Sequence, residues 1–511
     1  MSIPDHETGR RSAAPVRWAS TPPRTAAPAP RVRPRPRAAP LIAALALAVL
    51  SVLVVRESVV GEQLPAQAAL TLVVFAVAVW MWIFSPLDDT YVALGAALIL
   101  VATGVIDDTE LFESLGEDTV WLLLTAFVIA AGVTASGLAA RVAGFVVTGA
   151  GTLRQLVHLT TGVLVVTAFA IPSTSGRAAL ALPVFIALAA VLEDRARVVL
   201  ALSLLFPSVI LLSAVASYLG AGAHLITAQI LDAAGHDSFG VGTWLILGLP
   251  LALVSSHLCA ELILWLFTRR EDRRSPVSVT LEDLQSHTTT PITGPLTTAQ
   301  SRSALLVAAV VILWCSEPLH GLHPAVVGLF GALLAASPRW GSVKLGTALK
   351  SVPWSLLIFM AATLTLGTGL IDSGAAHWLA GRALGPVQSA GAAAPVLFVV
   401  LVVVVSTASH LIIQSRSARS AVLIPIVVAL APGLGVDPTA AAFASTAAAG
   451  FCHTLTSSAK PVTLFSDVGD VETFRPEHLL RLSAWLAPIS AALVLIFTFT
   501  VWPVMGMPVL R

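Results

Sequence analysis

The 511-residue chain is 56% hydrophobic and 11% charged, with a formal net charge of +1. Soluble domains carry about 25% charged residues, so this composition excludes a soluble globular protein and gives no electrostatic basis for binding nucleic acid. Its three cysteines, Cys259, Cys315 and Cys452, show neither disulfide nor metal-ligand spacing.

Residues 1–40 hold eight arginines and nine prolines, with Asp5 and Glu7 as the only acids. That composition predicts a disordered cytosolic tail. The first apolar run begins at Leu41, too late for an ordinary signal peptide, so 41–60 is expected to be an uncleaved first transmembrane helix. Further apolar runs follow near 65–85, 90–106 and 119–149, then an apolar hairpin with a polar tip at 156–192, an interrupted run at 198–233 and another at 243–267. A linker at 268–302 separates these from runs near 303–317, 323–337 and 353–384, a second polar-tipped hairpin at 394–431, an interrupted run at 438–465 and a last one at 482–504. Roughly 20 apolar residues span the hydrocarbon layer as a helix. The fold class is therefore an all-α polytopic membrane protein with eleven crossings, two re-entrant hairpins and two broken helices. Basic residues mark cytoplasmic loops. The tail, Arg154, Arg195, Arg269 and the linker are then inside, and the acidic loop at 107–118 is outside.

The hairpin tips repeat one another. "PSTSGRAALALPV" (172–184) recurs as "QSRSARSAVLIPI" (414–426), "WIFSPL" (82–87) as "WCSEPL" (314–319), and "SGLAARVAG" (136–144) as "SGAAHWLAG" (373–381). Under the topology above the two halves, 61–267 and 303–505, run in opposite directions. Inverted repeats with broken helices near the midplane are a signature of secondary transporters.

Each tip is a polar turn followed by a helix, which Ser175 and Ser417 are expected to cap. A helix N-terminus favours an anion, and an intramembrane arginine costs about 2.5–3.5 kcal/mol on insertion scales. Arg177, Arg416 and Arg419 are therefore best explained by a shared anionic partner, since guanidinium forks match carboxylate, phosphate or sulfate. A bland alternative places these arginines among lipid headgroups, but it predicts no symmetry. The interrupted runs "SYLGAGAHLITAQ" (217–229) and "HTLTSSAKPVTLF" (453–465) add two further cation candidates, His224 and Lys460. Asp372 and Glu261 are the expected buried acids to share the positive charge.

Together these segments resemble the divalent anion–sodium symporter family of dicarboxylate, citrate and sulfate carriers. The resemblance covers about 65–505 and implies a homodimer that moves its substrate by an elevator-type mechanism. In that family each tip carries a Ser-Asn-Thr signature that contacts substrate and sodium. Here those positions read Ser173-Thr174-Ser175 and Ser415-Arg416-Ser417. Both asparagines are replaced, and a guanidinium repels sodium, so transport independent of sodium is expected. The candidate substrate-binding residues are Ser173, Thr174, Ser175, Arg177, Ser415, Arg416, Ser417, Arg419, His224 and Lys460. Neither HExxH nor GxSxG spacing occurs, so no enzyme activity, catalytic residue, metal site or cofactor is expected. The expected function is a permease for small di- or trivalent anions in the inner or plasma membrane, with its N-terminus cytoplasmic. Its partners are the bilayer, a second copy of the chain and a coupling proton or sodium ion. The alternatives are a proton-coupled or exchange carrier of another oxyanion or a metal–citrate complex, and a transport-dead sensor of the same fold.

Overall fold

The computed structural model describes residues 38–59, 64–147, 149–277, 292–469 and 471–510, with Thr280, Glu282 and Gln285. Most of the expected N-terminal tail and part of the linker lie outside the described residues. Among the described residues there are helices and three isolated β-bridges but no strand. Eleven helices among the described residues are long and apolar enough to cross a membrane, so the protein is an all-α polytopic membrane protein. They are not the eleven segments expected. Both arms of the first hairpin qualify, whereas Asp89–Ala102 and Pro324–Ala335 are shorter apolar helices. At a rise of about 1.5 Å per residue neither fills a bilayer alone.

A separate helix α1 (Ala38–Val59) precedes the first half, which begins with α2 (Ala66–Phe84), α3 (Asp89–Ala102) and α4 (Asp118–Ser136). The first hairpin is α5 (Leu153–Ala170) and α6 (Thr174–Val191), followed by α7 (Ala196–Leu212), α8 (Gly222–Ala233) and α9 (Val241–Phe267). The second half holds α10 (Thr298–Cys315), α11 (Pro324–Ala335) and α12 (Trp354–Asp372). After these come the second hairpin, α13 (Ala394–Ala408) with α14 (Arg416–Leu430), then α15 (Pro438–Ala448), α16 (Lys460–Ser466) and α17 (Pro476–Ile496).

Local chemistry sets the hairpin tips. Ile171 precedes Pro172 and is extended, which ends α5. Ser173 and Ser415 then cap α6 and α14, accepting from Gly176 N and Ala418 N, each at 3.3 Å. The expected caps, Ser175 and Ser417, instead lie in the first turns, because both helices start two residues earlier. Both interrupted runs are broken. Between α7 and α8 the chain passes through short 3₁₀ turns, and α15 stops at Ala448 before α16 restarts at Lys460.

The matching segments also match in geometry. Trp82 Nε1 donates to Asp89 O at 3.1 Å and Trp314 Nε1 to Pro324 O at 2.9 Å, so each indole holds the start of the next apolar helix. Gly137 and Gly374 turn the chain after α4 and α12 with left-handed φ of 74° and 78°, a conformation glycine adopts without penalty. The packing is reciprocal: α4 lies on α11, and α12 lies on α3. Gly328 permits the first contact, since a Cβ there would meet Thr125 Oγ1 at 2.5 Å.

Candidate functional site

Six helices, α3, α6, α8, α12, α14 and α16, begin at one cavity of about 480 Å³. Both hairpin tips and both breaks line it. Ser173, Thr174 and Ser175 come from the first tip, and Ser415, Arg416 and Ser417 from the second. Gly222 faces the second tip so closely that a Cβ there would sit 3.2 Å from Ser417 Oγ. The free N–H groups and positive dipole ends of these helices favour negative charge in the space between them.

The guanidinium groups sharpen that preference. Arg416 has one contact, Nη2 to His224 Nε2 at 3.2 Å, while its Nε and Nη1 are buried without a partner among the described residues. Arg419 is 0% exposed, and its Nη1 makes a long 3.5 Å bond to Phe451 O. Its Nε and Nη2 are likewise unpartnered among the described residues. Both arginines line the cavity, as does Lys460 in the first turn of α16. An unpaired buried cation is strongly unfavourable, and an anion in the cavity would supply the missing acceptors.

Two candidates stand elsewhere. Arg177 is buried but off the wall, with its donors occupied inside the protein. Its Nε donates to Thr167 Oγ1 at 3.0 Å and its Nη1 to Ile210 O at 2.9 Å. Its Nη2 donates to Leu164 O at 2.5 Å and Ser213 Oγ at 2.6 Å. Arg177 therefore braces the first hairpin against α7. His224 stands behind Arg416, its ring stacked on Trp244 with centroids 4.8 Å apart.

The expected acids do not pair with the tip arginines. Glu261 bonds Arg154 at 2.7 Å and His158 at 2.6 Å, and Asp372 is exposed at the end of α12. The carboxylates on the cavity wall are Asp88 and Asp89, at the start of α3. Asp89 lies within electrostatic reach of the Ser415 hydroxyl and Lys460. Sequence reasoning missed both, although "SPLDDTY" (85–91) directly follows the repeated tryptophan segment. Behind Arg419, His410 Nε2 bonds Thr454 Oγ1 at 2.8 Å, and Thr454 bonds Ser483 Oγ at 2.6 Å. This chain ties the second hairpin to α17.

The protein is similar to known transporters over most of its length. A family model described as citrate transporter matches residues 76–448, and the chain belongs to that family. A membrane protein of Cupriavidus necator is 25% identical, covering 90% of this chain and 92% of its own. The sodium-dependent dicarboxylate transporter SdcS of Staphylococcus saprophyticus is 21% identical, covering 85% of this chain and 87% of its own. Among solved structures, the YdaH transporter of Alcanivorax borkumensis aligns with a TM-score of 0.50 at 15% identity, over 86% of this chain and 100% of its own. MtrF of Neisseria gonorrhoeae aligns with a TM-score of 0.53 at 15% identity, over 88% and 98%. The fold is thus that of known transporters, and the protein is a membrane transporter of the citrate transporter family rather than an enzyme.

Proposed function

We propose that this member of the citrate transporter family carries small di- or trivalent anions, such as dicarboxylates, citrate or sulfate, bound in the cavity between the two hairpin tips. The observation that carries this reading is the pair Arg416 and Arg419, each with two guanidinium nitrogens unpartnered among the described residues, at a cavity where six helices begin. In this reading Ser173, Thr174, Ser175, Ser415 and Ser417 supply hydroxyls to the substrate, and Lys460 adds a third positive charge. The reciprocal packing of α4 on α11 and α12 on α3 supports two halves inverted across the membrane, with the hairpins entering from opposite sides. Alternating access then moves the tips as an elevator within a homodimer, with the N-terminus cytoplasmic. Coupling is to protons or to a counter-anion, and sodium is not needed.

Asp88 and Asp89 on the same wall favour a second reading, in which the substrate brings a cation with it as a metal–citrate complex. Uptake of labelled succinate, citrate and sulfate into proteoliposomes, with and without magnesium, tests both. Uptake of free anions supports the first reading, and uptake of citrate that requires magnesium supports the second. No uptake of any of them, together with no ligand-induced thermal shift, would overturn both.

A further inference from the structure

The two ring nitrogens of His224 face partners that fix its protonation. Nδ1 lies 3.0 Å from the Ser217 carbonyl oxygen, which can only accept, so Nδ1 must carry the hydrogen. Nε2 lies 3.2 Å from Arg416 Nη2. A guanidinium only donates, so Nε2 must be bare. One state meets both demands, the neutral Nδ1–H tautomer. An imidazolium would turn a donor toward a donor and set two cations in contact.

The surroundings hold this arrangement. His224 and Trp244 are both 0% exposed, and the indole that stacks on the imidazole is anchored by Nε1 donating to Val215 O at 3.0 Å. On the other side, a Cβ at Gly450 would come 3.1 Å from Arg416 Nη2 and crowd the guanidinium. Arg416 is thus held by one nitrogen, with Nε and Nη1 left unpartnered among the described residues. His224 belongs to the first broken segment, Arg416 to the second tip, so the contact joins the two halves at the cavity.

We infer that His224 is a positioning residue that orients Arg416 and does not itself bind the substrate. The inference rests on the anion site proposed above. Without the imidazole acceptor, Arg416 gains rotamers and the cavity loses a fixed charge at one place. Hydrogen bonds to charged groups are stronger than neutral ones, so His224→Leu is expected to raise the KM for succinate or citrate about tenfold or more while the maximal rate changes little. His224→Gln offers an amide oxygen to Arg416 and is expected to return the KM to within about threefold of the parent. In an Arg416→Gln background His224→Leu should have no further effect, because the two residues act as one unit. Ligand-induced thermal shift with citrate replaces uptake where transport is too slow. A parental KM in the leucine variant, failure of glutamine to restore it, or additive effects in the double variant would overturn the inference.

A separate measurement needs no transport. Nitrogen NMR of the full-length protein with labelled histidine, without substrate, should show a signal of the Nδ1–H tautomer that His224→Gln removes. An Nε2–H tautomer or an imidazolium at that position would overturn the inference even if the parent carries anions. Conversely, the expected tautomer in a parent that takes up no anion would leave the His224–Arg416 pairing standing and remove only the carrier reading. If the leucine variant does not fold, the glutamine variant and the NMR signal decide.

Discussion

Ala221 and Ala459 hold the same backbone conformation, with φ −158° and ψ 146° in one and φ −158° and ψ 144° in the other. Each is the last extended residue before a helix restarts at the cavity, and neither α8 nor α16 has a side-chain cap. No side chain therefore caps their first-turn N–H groups, as suits an anion-binding terminus. Ala221→Asp or Ala459→Asp would cap these groups and place a carboxylate where the substrate sits. Helix caps stabilise by about 0.5–2 kcal/mol, so the thermal midpoint should hold while anion uptake falls by about tenfold or more. Serine at either position should have the smaller effect. Uptake unchanged in both aspartate variants would remove these two termini from the site.

Arg177 and Arg419 occupy equivalent places in the repeated sequence, but substitution should separate them. Arg419→Gln removes an unsatisfied cation from the cavity wall, so the folded protein should persist while anion affinity is lost. Arg177→Gln instead breaks bonds to Thr167 and Leu164, which tie α6 to α5, and to Ile210 and Ser213, which tie the hairpin to the end of α7. Such bonds from a charged group are worth about 1.5–3 kcal/mol each, so this variant should melt well below the parent. Thermal denaturation in detergent, paired with citrate binding, checks both. Equal melting of the two variants would contradict the assignment.

Asp89 is one of the two carboxylates on the cavity wall. It lies near Lys460 and Ser415, and it opposes an incoming dianion. At an effective dielectric near 20, removing one charge about 10 Å from another is worth on the order of 1–2 kcal/mol. Asp89→Asn should therefore lower the KM for succinate by about tenfold. If the substrate is a metal–citrate complex, the same change should weaken its uptake. The two readings of the cavity thus give opposite signs in one kinetic experiment.

Much of this architecture is legible in the sequence, because hydrophobic length and the paired tips are local signals. The tips, the breaks and the tryptophan pair stand where the repeat puts them. What sequence could not reveal is which polar groups tertiary packing brings beside each arginine. Identical spacing gives each nitrogen of Arg177 an acceptor from α5 or the end of α7 and leaves two nitrogens of Arg419 without one among the described residues, because the Arg177 partners Leu164, Ile210 and Ser213 come from outside the repeated motif. Helix caps fell two residues from their expected places for a similar reason. Serine alternates through both tips, and only the extended backbone at Ser173 and Ser415 selects the cap. The role of Asp88 and Asp89 was hidden because they lie far from the tips in sequence and reach them only through the packing of α3.

A sodium site at a hairpin tip needs several neutral or anionic oxygens around the ion. At the second tip Arg416 stands between Ser415 and Ser417, with two guanidinium nitrogens unpartnered among the described residues. Two like charges about 4 Å apart repel by about 4 kcal/mol at an effective dielectric of 20, enough to empty a site of ordinary affinity. In the proposed site Arg416, Arg419 and Lys460 would also neutralise a dianion without any metal, which is the task that sodium would otherwise perform. Asp88 and Asp89 are the groups that could offset this, and both stand at the start of α3 rather than on the tip. Replacing sodium with choline at fixed pH should therefore leave anion uptake into proteoliposomes within about twofold. A residual dependence should track the proton gradient or an internal counter-anion instead. A fall of about tenfold on that replacement, equivalent to about 1.4 kcal/mol in binding, would show that sodium is held despite Arg416. Arg416→Asn then distinguishes the causes, since it restores the asparagine that the resembling family carries at this position. If Arg416 is what excludes the ion, that variant should gain a sodium dependence that the parent lacks.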